Sequence, residues 1–136
     1  MKIIVDTNII ISALIADSLT RKIIMKSELE FYYPDIGLNE IIKYKHLILQ
    51  KSQMKENELD ILLSLLLKRI VLLSEDRIKQ KFREATEIFK TIDPDDIIFL
   101  AAALSIKDSI IWSEDKDFER QKKVKVMKTK MESQKS

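Results

Sequence analysis

The sequence predicts an α/β fold: a three-layer α/β/α domain on a mostly parallel central sheet of four to five strands. Short runs of aliphatic residues without polar alternation are typical of strands that are buried on both faces. These runs alternate along the chain with longer amphipathic stretches that have helical spacing. The length, 136 residues of which 46% are apolar and 34% charged, fits one globular domain with one core.

Five segments are predicted to be strands. KIIV near the N-terminus is continuous and β-branched, and EFYYP stops at a proline. RIVLLS and SIIWSED are again short and apolar, whereas KVKVMK alternates as a weaker edge strand does. The predicted strands are 2–5, 30–34, 69–74, 109–115 and 123–128.

Helices are predicted in the connections between these strands. Five leucines within 55–68 form one stripe, and the apolar residues of 38–51 lie roughly on one face. Asn8 can cap the first helix and Ser74 the helix after the third strand, while Asp93 followed by proline is a strong helix start. The predicted helices are 8–16, 19–27, 38–51, 55–68, 75–90 and 93–107.

Composition restricts the function classes. The absence of cysteine excludes a disulfide framework, a zinc ribbon and thiol catalysis, and it favours a cytoplasmic protein. No apolar run is long enough to span a membrane, so no membrane association is expected.

Charge is unevenly distributed along the chain. The net charge is +2, but residues 121–136 hold six lysines and one glutamate, so the rest of the chain sums to −3. A basic tail on an acidic body suits nucleic-acid binding, and it is equally typical of a solvated, frayed terminus. We predict a single domain over 1–128 and a basic, poorly ordered tail over 129–136.

Carboxylates lie beside strand ends and helix starts in four separate segments. Asp6 directly follows the first strand, and Glu40 lies near the start of the helix after the second. Asp96 lies in the first turn of the helix before the fourth strand, and Asp115 and Asp117 follow SIIWS. In open parallel sheets the functional crevice lies at the carboxyl ends of the strands. If these acids converge there, a hard cation such as Mg²⁺ or Mn²⁺ is their natural partner.

Each acid also has a structural interpretation. Asp93 and Asp96 suit a helix N-terminus, because its dipole favours negative charge. Glu40 can be a solvated surface residue and Asp115 part of a polar loop. Asp6 is the hardest to explain this way, since it ends a buried strand and a buried carboxylate is costly unless it is paired.

The order and spacing of these segments resemble the PIN-domain nucleases, including the VapC-like toxins of VapBC toxin–antitoxin modules. The resemblance extends from IIVDTN to WSEDKDF. VDTNIIISAL resembles the first motif of the family, which implies Asp6 as a metal ligand and Asn8 as a supporting polar residue. YPDIGLNEII resembles the segment that ends in the second acid, here Glu40.

The C-terminal motifs complete the resemblance. DPDDIIFLAAAL resembles the acid and alanine-rich helix of the family and marks Asp96 as the third acid. IIWSEDKDF resembles the closing motif, with Asp115 as the fourth acid, Asp117 as a candidate fifth, and Ser113 as the hydroxyl that orients them. One departure is Asp108, which lies in a turn where the family usually has glycine, and it leaves the form of that turn open.

The resemblance implies a metal-dependent endoribonuclease. One or two Mg²⁺ or Mn²⁺ ions would bind Asp6, Glu40, Asp96 and Asp115. A water activated by the metal would hydrolyse RNA phosphodiesters in line, leaving a 5′-phosphate and a 3′-hydroxyl.

The resemblance also implies partners. The family forms homodimers and often binds a small antitoxin protein that blocks the acidic site. The helices predicted at 38–51 and 55–68 are the candidate surface for the dimer or the antitoxin. Lysines expected to bind RNA phosphates are Lys43, Lys45, Lys116, Lys122 and Lys123.

Two other enzyme classes fit the sequence less well, and one binding function stays open. A haloacid-dehalogenase-like phosphatase requires aspartates at positions 6 and 8, but Asn8 cannot act as a general acid. A receiver domain requires its phosphoacceptor after a middle strand, and no late Lys-Pro matches it here. A catalytically silent PIN-like module that binds RNA or protein stays open, because sequence alone does not show that the acids converge.

Overall fold

The computed structural model describes residues 1–89 and 93–129. In this part of the chain the fold is α/β, with one parallel sheet flanked by helices, as the sequence predicts. The strands are Lys2–Val5 (β1), Glu30–Pro34 (β2), Ile70–Leu73 (β3), Ser109–Trp112 (β4) and Lys125–Met127 (β5).

The sheet has the strand order β3-β2-β1-β4-β5, and every neighbouring pair is parallel. The chain adds β2 and β3 on one side of β1, and then adds β4 and β5 on the other. The direction of winding therefore reverses between β1 and β4, where Val5 pairs with Trp112. In open α/β sheets this switch point is where ligands bind.

Helices and turns fill the connections between the strands. Two short 3₁₀ helices, Asp35–Gly37 and Lys116–Arg120, follow β2 and β4. The α-helices of the described residues are Thr7–Ile15 (α1), Leu19–Lys26 (α2), Leu38–Lys43 (α3), Lys45–Ser52 (α4), Glu56–Leu67 (α5), Glu75–Lys79 (α6), Phe82–Ile88 (α7) and Pro94–Ser105 (α8).

The core lies on both faces of the sheet. Ile3, Ile4 and Val5 of β1 are fully buried. Since successive strand side chains point to opposite faces, both faces are covered at β1. Ala101 and Ala102 of α8 are also fully buried. Their small side chains let α8 approach the sheet closely, which places the N-terminus of α8 beside the switch point.

The structure corrects the sequence prediction at three helix positions. The predicted helix 38–51 is divided at Tyr44 (φ −96°, ψ 7°), and the predicted helix 75–90 is divided at Lys81 (φ −109°, ψ 1°). Neither break carries glycine or proline, so the sequence contains no local signal for it. The N-cap of α1 is Asp6 rather than Asn8, because helical geometry already begins at Thr7.

The turn before β4 has a backbone conformation that favours glycine, although Asp108 occupies it. Asp108 has φ 60°, in the left-handed region that favours glycine and that aspartate tolerates better than most residues.

Of the predicted C-terminal tail, 129–136, the structure describes only Thr129. Thr129 is anchored, because its Oγ1 accepts a 3.0 Å hydrogen bond from Trp112 Nε1 and its backbone N–H donates to Glu114. The rest of the predicted tail, 130–136, lies outside the described residues. Within the described ranges, none of the helices is long and apolar enough to cross a membrane.

Candidate metal centre

A cavity of about 410 Å³ lies at the carboxyl ends of β1 and β4, at the switch point of the sheet. Carboxylates dominate one side of it, and we call it the acidic cavity. The structure brings together there all the acids that the sequence singled out, with two neighbours from the start of α8. The carboxylates lining the acidic cavity are Asp6, Glu40, Asp93, Asp95, Asp96, Asp115 and Asp117.

Asp6 reaches the cavity from the end of β1. Its backbone N–H donates to Trp112 O at 3.1 Å, so it continues the pairing with β4 before α1 begins. The side chain is only 5% exposed, and its Oδ2 accepts a 2.7 Å hydrogen bond from Ser113 Oγ. Burial raises the pKa of Asp6, the Ser113 hydrogen bond opposes that shift, and the charge of Asp115 adds to it.

The segment after β4 is ordered by its own side chains. Ser113 Oγ accepts from the backbone N–H of Asp115 at 3.0 Å, and Asp115 Oδ1 accepts from the backbone N–H of Asp117 at 2.9 Å. These bonds direct the segment back toward Asp6. The hydroxyl that the sequence assigned to orientation therefore contacts two of the predicted acids.

Asp96 lies in the first turn of α8, where the Asp93 side chain caps the helix by accepting from the backbone N–H of Asp95 at 3.1 Å. Asp93 thus has the structural role, and Asp96 is left to face the cavity. The pKa of Asp96 is raised to about 7, chiefly by burial and then by the charges of Asp115 and Asp6.

Glu40 reaches the cavity from the first turn of α3, on the other side of β1. Burial is the largest cause of its raised pKa. The charges of Asp95 and Asp6 add to this shift.

The donor set fits a divalent cation. One carboxylate oxygen from each of Asp96, Asp115 and Asp117 lies within 4.8 Å of the other two. Asp6 and Glu40 line the same cavity outside this cluster. Oxygen-only ligands are those that Mg²⁺ and Mn²⁺ prefer, and such an ion would offset the repulsion that raises the pKa of Asp96.

The opposite side of the cavity is largely apolar, and sequence analysis missed it. Tyr44, Leu47, Ile48 and Lys51 lie there with residues of α1 and α8, among them Ile11, Ile15 and Phe99. The first four have the spacing i, i+3, i+4, i+7, which was the available signal for one shared helix face. Asn8, the predicted supporting residue, is exposed at the edge of the cavity.

The five predicted RNA-binding lysines are dispersed. Lys43 lies beside the acidic cavity with its Nζ 5.6 Å from the Tyr44 ring centroid, and Lys116 is exposed next to Asp115. Lys45 instead pairs with Glu56 and Asp60, at 3.0 and 2.8 Å.

The remaining two lysines lie near the opposite edge of the sheet. Lys123 lines a separate cavity of about 370 Å³ there, beside the start of β4, and Lys122 is its exposed neighbour. The structure does not bring these side chains to the acidic cavity.

A parallel sheet that presents a carboxylate cluster at its switch point defines an α/β domain with a candidate site for a divalent cation. A family model described as the PIN domain matches residues 4–134, and the chain belongs to this family. No curated protein matches the sequence.

Solved structures share the fold at low sequence identity. VapBC2 from Rickettsia felis, bound to a DNA fragment from their promoter, matches with a TM-score of 0.70 and 16% identity over 94% of this chain and 98% of that chain. VapBC-1 from nontypeable Haemophilus influenzae matches with a TM-score of 0.69 and 18% identity over 96% and 99%. FitAcB from Neisseria gonorrhoeae matches with a TM-score of 0.63 and 18% identity over 93% and 97%.

Proposed function

We propose that this PIN-domain protein is a Mg²⁺- or Mn²⁺-dependent endoribonuclease that hydrolyses RNA phosphodiesters. The observation that carries the proposal is the convergence of Asp6, Glu40, Asp96 and Asp115, from four separate segments, on one cavity. Nothing in the core of the domain requires four acids at this place, since their mutual repulsion destabilises the metal-free protein.

The proposal assigns a role to each residue of the site. Asp96, Asp115 and Asp117 would hold one cation, with Asp6 and Glu40 as additional ligands for it or for a second ion. A bound divalent cation activates water and neutralises charge on the scissile phosphate.

The proposal also gives a role to Ser113 and to the carboxyl proton of Asp96. Ser113 keeps Asp6 oriented by donating to Oδ2, so that this carboxylate faces the cavity. Asp96, with a pKa of about 7, exchanges its proton near neutral pH and must lose it to bind a cation.

The apolar side of the cavity would hold the RNA. Tyr44 is 37% exposed and offers a ring face on which a base flanking the scissile phosphate can stack. Lys51 lines the same wall and supplies a positive charge for the phosphate backbone. This arrangement suits a single strand whose bases are accessible.

We also propose that the protein is the toxin of a toxin–antitoxin pair and acts in the cytoplasm. The structural neighbours are VapBC and FitAB complexes, which supports a small antitoxin protein as partner. The antitoxin would inhibit by covering the acidic cavity. The second partner that we propose is another copy of this chain, bound through α3, α4 and α5 to form a homodimer.

The test is cleavage of labelled single-stranded RNA, with Mg²⁺ or Mn²⁺ and with neither. Wild type is compared with Asp6→Asn and Asp96→Asn, and Asp17→Asn is the control at an exposed carboxylate outside the cavity. Metal-dependent cleavage that is lost in the first two variants only would support the nuclease. Absence of cleavage by partner-free protein across several RNAs would favour a catalytically silent binding module.

A further inference from the structure

Tyr33 connects the two chain segments that carry Asp6 and Glu40. Its ring is fully buried in β2, and its Oη donates a 2.8 Å hydrogen bond to Gly37 O. Thr7 Oγ1 lies 2.7 Å from the same oxygen. A tyrosine hydroxyl has one proton, and Gly37 receives it, so Thr7 is the donor in the second bond.

The position of Gly37 requires glycine because Tyr33 occupies the space of a Cβ, and not because the backbone conformation is unusual. It is the single glycine of the chain, and its φ of −67° and ψ of −20° suit any residue. A Cβ at this position would lie 2.5 Å from Tyr33 Oη and 2.6 Å from Cζ. Glycine therefore allows the hydroxyl of Tyr33 to reach the backbone that leads into α3.

Both partners of the hydroxyl lie within three residues of a predicted metal ligand. Thr7 directly follows Asp6 at the end of β1, and Gly37 directly precedes α3, which carries Glu40 in its first turn. The Tyr33–Thr7 contact thus lies between the two ligand-bearing elements.

We propose that Tyr33 is a positioning residue, whose hydroxyl fixes the Asp6 and Glu40 segments relative to each other and so sets the affinity for the divalent cation. The inference rests on the proposed metal site. A purely space-filling role would require only the ring, which also packs against Phe99 at 6.0 Å between centroids.

The experiment measures Mn²⁺ binding by electron paramagnetic resonance and calorimetry, without RNA, at a temperature where circular dichroism shows every variant folded. Tyr33→Phe keeps the ring and removes the hydroxyl. We expect its affinity for Mn²⁺ to fall about 10-fold, as is typical when a group behind a metal ligand is removed. Tyr32→Phe is the matched control, because it makes the same change at the preceding residue of β2, where the hydroxyl donates to Glu30 at 3.4 Å and not to a residue beside the cavity.

Thr7 variants test the same bridge from its other end. Thr7→Val should weaken Mn²⁺ binding, Thr7→Ser should restore it, and Thr7→Val combined with Tyr33→Phe should cost little more than either change alone. These variants also decide the question if Tyr33→Phe fails to fold.

Three outcomes would overturn the inference. The first is a Tyr33→Phe variant that binds Mn²⁺ as tightly as wild type. The second is a double variant whose loss of Mn²⁺ affinity equals the product of the two single losses. Either result would overturn the bridge and leave the nuclease proposal intact. Failure of the wild type itself to bind Mn²⁺ would overturn the metal site and the inference together.

Discussion

Ser113 Oγ donates a 2.7 Å hydrogen bond to Oδ2 of Asp6, across 107 positions of sequence. The bond joins the carboxyl ends of β4 and β1, which are neighbours because the sheet reverses its winding between them. The same serine oxygen accepts from the backbone of Asp115. One hydroxyl therefore sets the positions of two acids that the parallel sheet brings to the same edge.

Ser113→Ala should lower both stability and metal affinity. The variant removes the side-chain donor of a buried carboxylate, which costs about 1–3 kcal/mol in comparable cases. It also removes the largest of the hydrogen-bond effects that oppose the rise in the pKa of Asp6, so this acid should keep its proton to higher pH. Urea unfolding and Mn²⁺ titration measure the two effects.

The control for this variant is Ser105→Ala, whose hydroxyl donates only to a carbonyl of its own helix. Equal metal affinities in the two variants would contradict the orienting role of Ser113.

The metal-free protein should lose stability as pH rises from about 4 to about 7. The pKa of Asp96 is about 7 in the folded state against an ordinary 3.8, so the folded state holds a proton that the unfolded state has released over this interval. A state that binds more protons is weakened as pH rises, and the raised pKa values of Asp6 and Glu40 act in the same direction. Chemical denaturation across this pH range, in a chelator, measures the slope.

Asp96→Asn should flatten that slope and stabilise the metal-free protein near pH 8. Added Mg²⁺ should stabilise the wild-type protein more at about pH 8 than at about pH 5, because cation binding requires deprotonated carboxylates. Asp17→Asn is the comparison at an exposed carboxylate outside the cavity. A slope that persists unchanged in Asp96→Asn would show that this carboxyl is not the group responsible.

The sequence was most informative where one local pattern decides the structure. Buried strands require continuous apolar residues, so β1 and β4 were visible as IIV and SIIW. The Asp6 interruption was visible for the same reason, since a carboxylate at the end of such a run requires an explanation. The acids were then brought together by the parallel topology that the alternation of elements predicted.

Features that depend on contacts between distant elements could not be predicted in this way. Lys45 was expected to bind RNA, but acids on α5 pair with it, and helix-to-helix packing decides that pairing. Tyr33 looked like an ordinary strand residue, because its role depends on the space that Gly37 leaves open. Single residues without a motif around them carry no local signal for such contacts.

Gly37→Ala should destabilise the protein, against the usual direction of this substitution. Alanine is ordinarily favoured over glycine in helical backbone by about 0.5–1 kcal/mol. Here the new methyl would overlap the buried Tyr33 ring, and overpacking of this kind costs about 1–3 kcal/mol.

Thermal unfolding measures the sign of the change. Because Tyr33→Leu removes the ring, Gly37→Ala should cost less in that background than in wild type. A Gly37→Ala variant as stable as wild type would contradict the proposed fit.

Lys51→Ala should weaken RNA binding and reduce its salt dependence, whereas Lys45→Ala should leave the salt dependence unchanged. Lys51 lines the acidic cavity, and one lost phosphate contact lowers the slope of log affinity against log salt by about 1. Lys45 is paired with two acids outside the cavity. Fluorescence anisotropy with single-stranded RNA and Ca²⁺, over a salt series, measures both slopes, and a steeper change in Lys45→Ala would reverse the assignment.

Ile61→Glu should convert the proposed homodimer into a monomer. Ile61 is 60% exposed and Leu65 42% on the outer face of α5, and Ile42 on α3 is 67% exposed. A cavity of about 110 Å³ between these helices continues the apolar surface inward. Large side chains this exposed in neighbouring elements favour burial against a second copy, and a charge placed there would oppose it.

Multi-angle light scattering over a concentration series measures the change in mass. Leu19→Glu, at a residue of α2 that is 46% exposed, is the control outside α3 to α5. Dissociation in Leu19→Glu together with an intact dimer in Ile61→Glu would place the dimer contact elsewhere. If Ile61→Glu dissociates as expected, its metal affinity should stay at the wild-type value, because Ile61 does not line the acidic cavity.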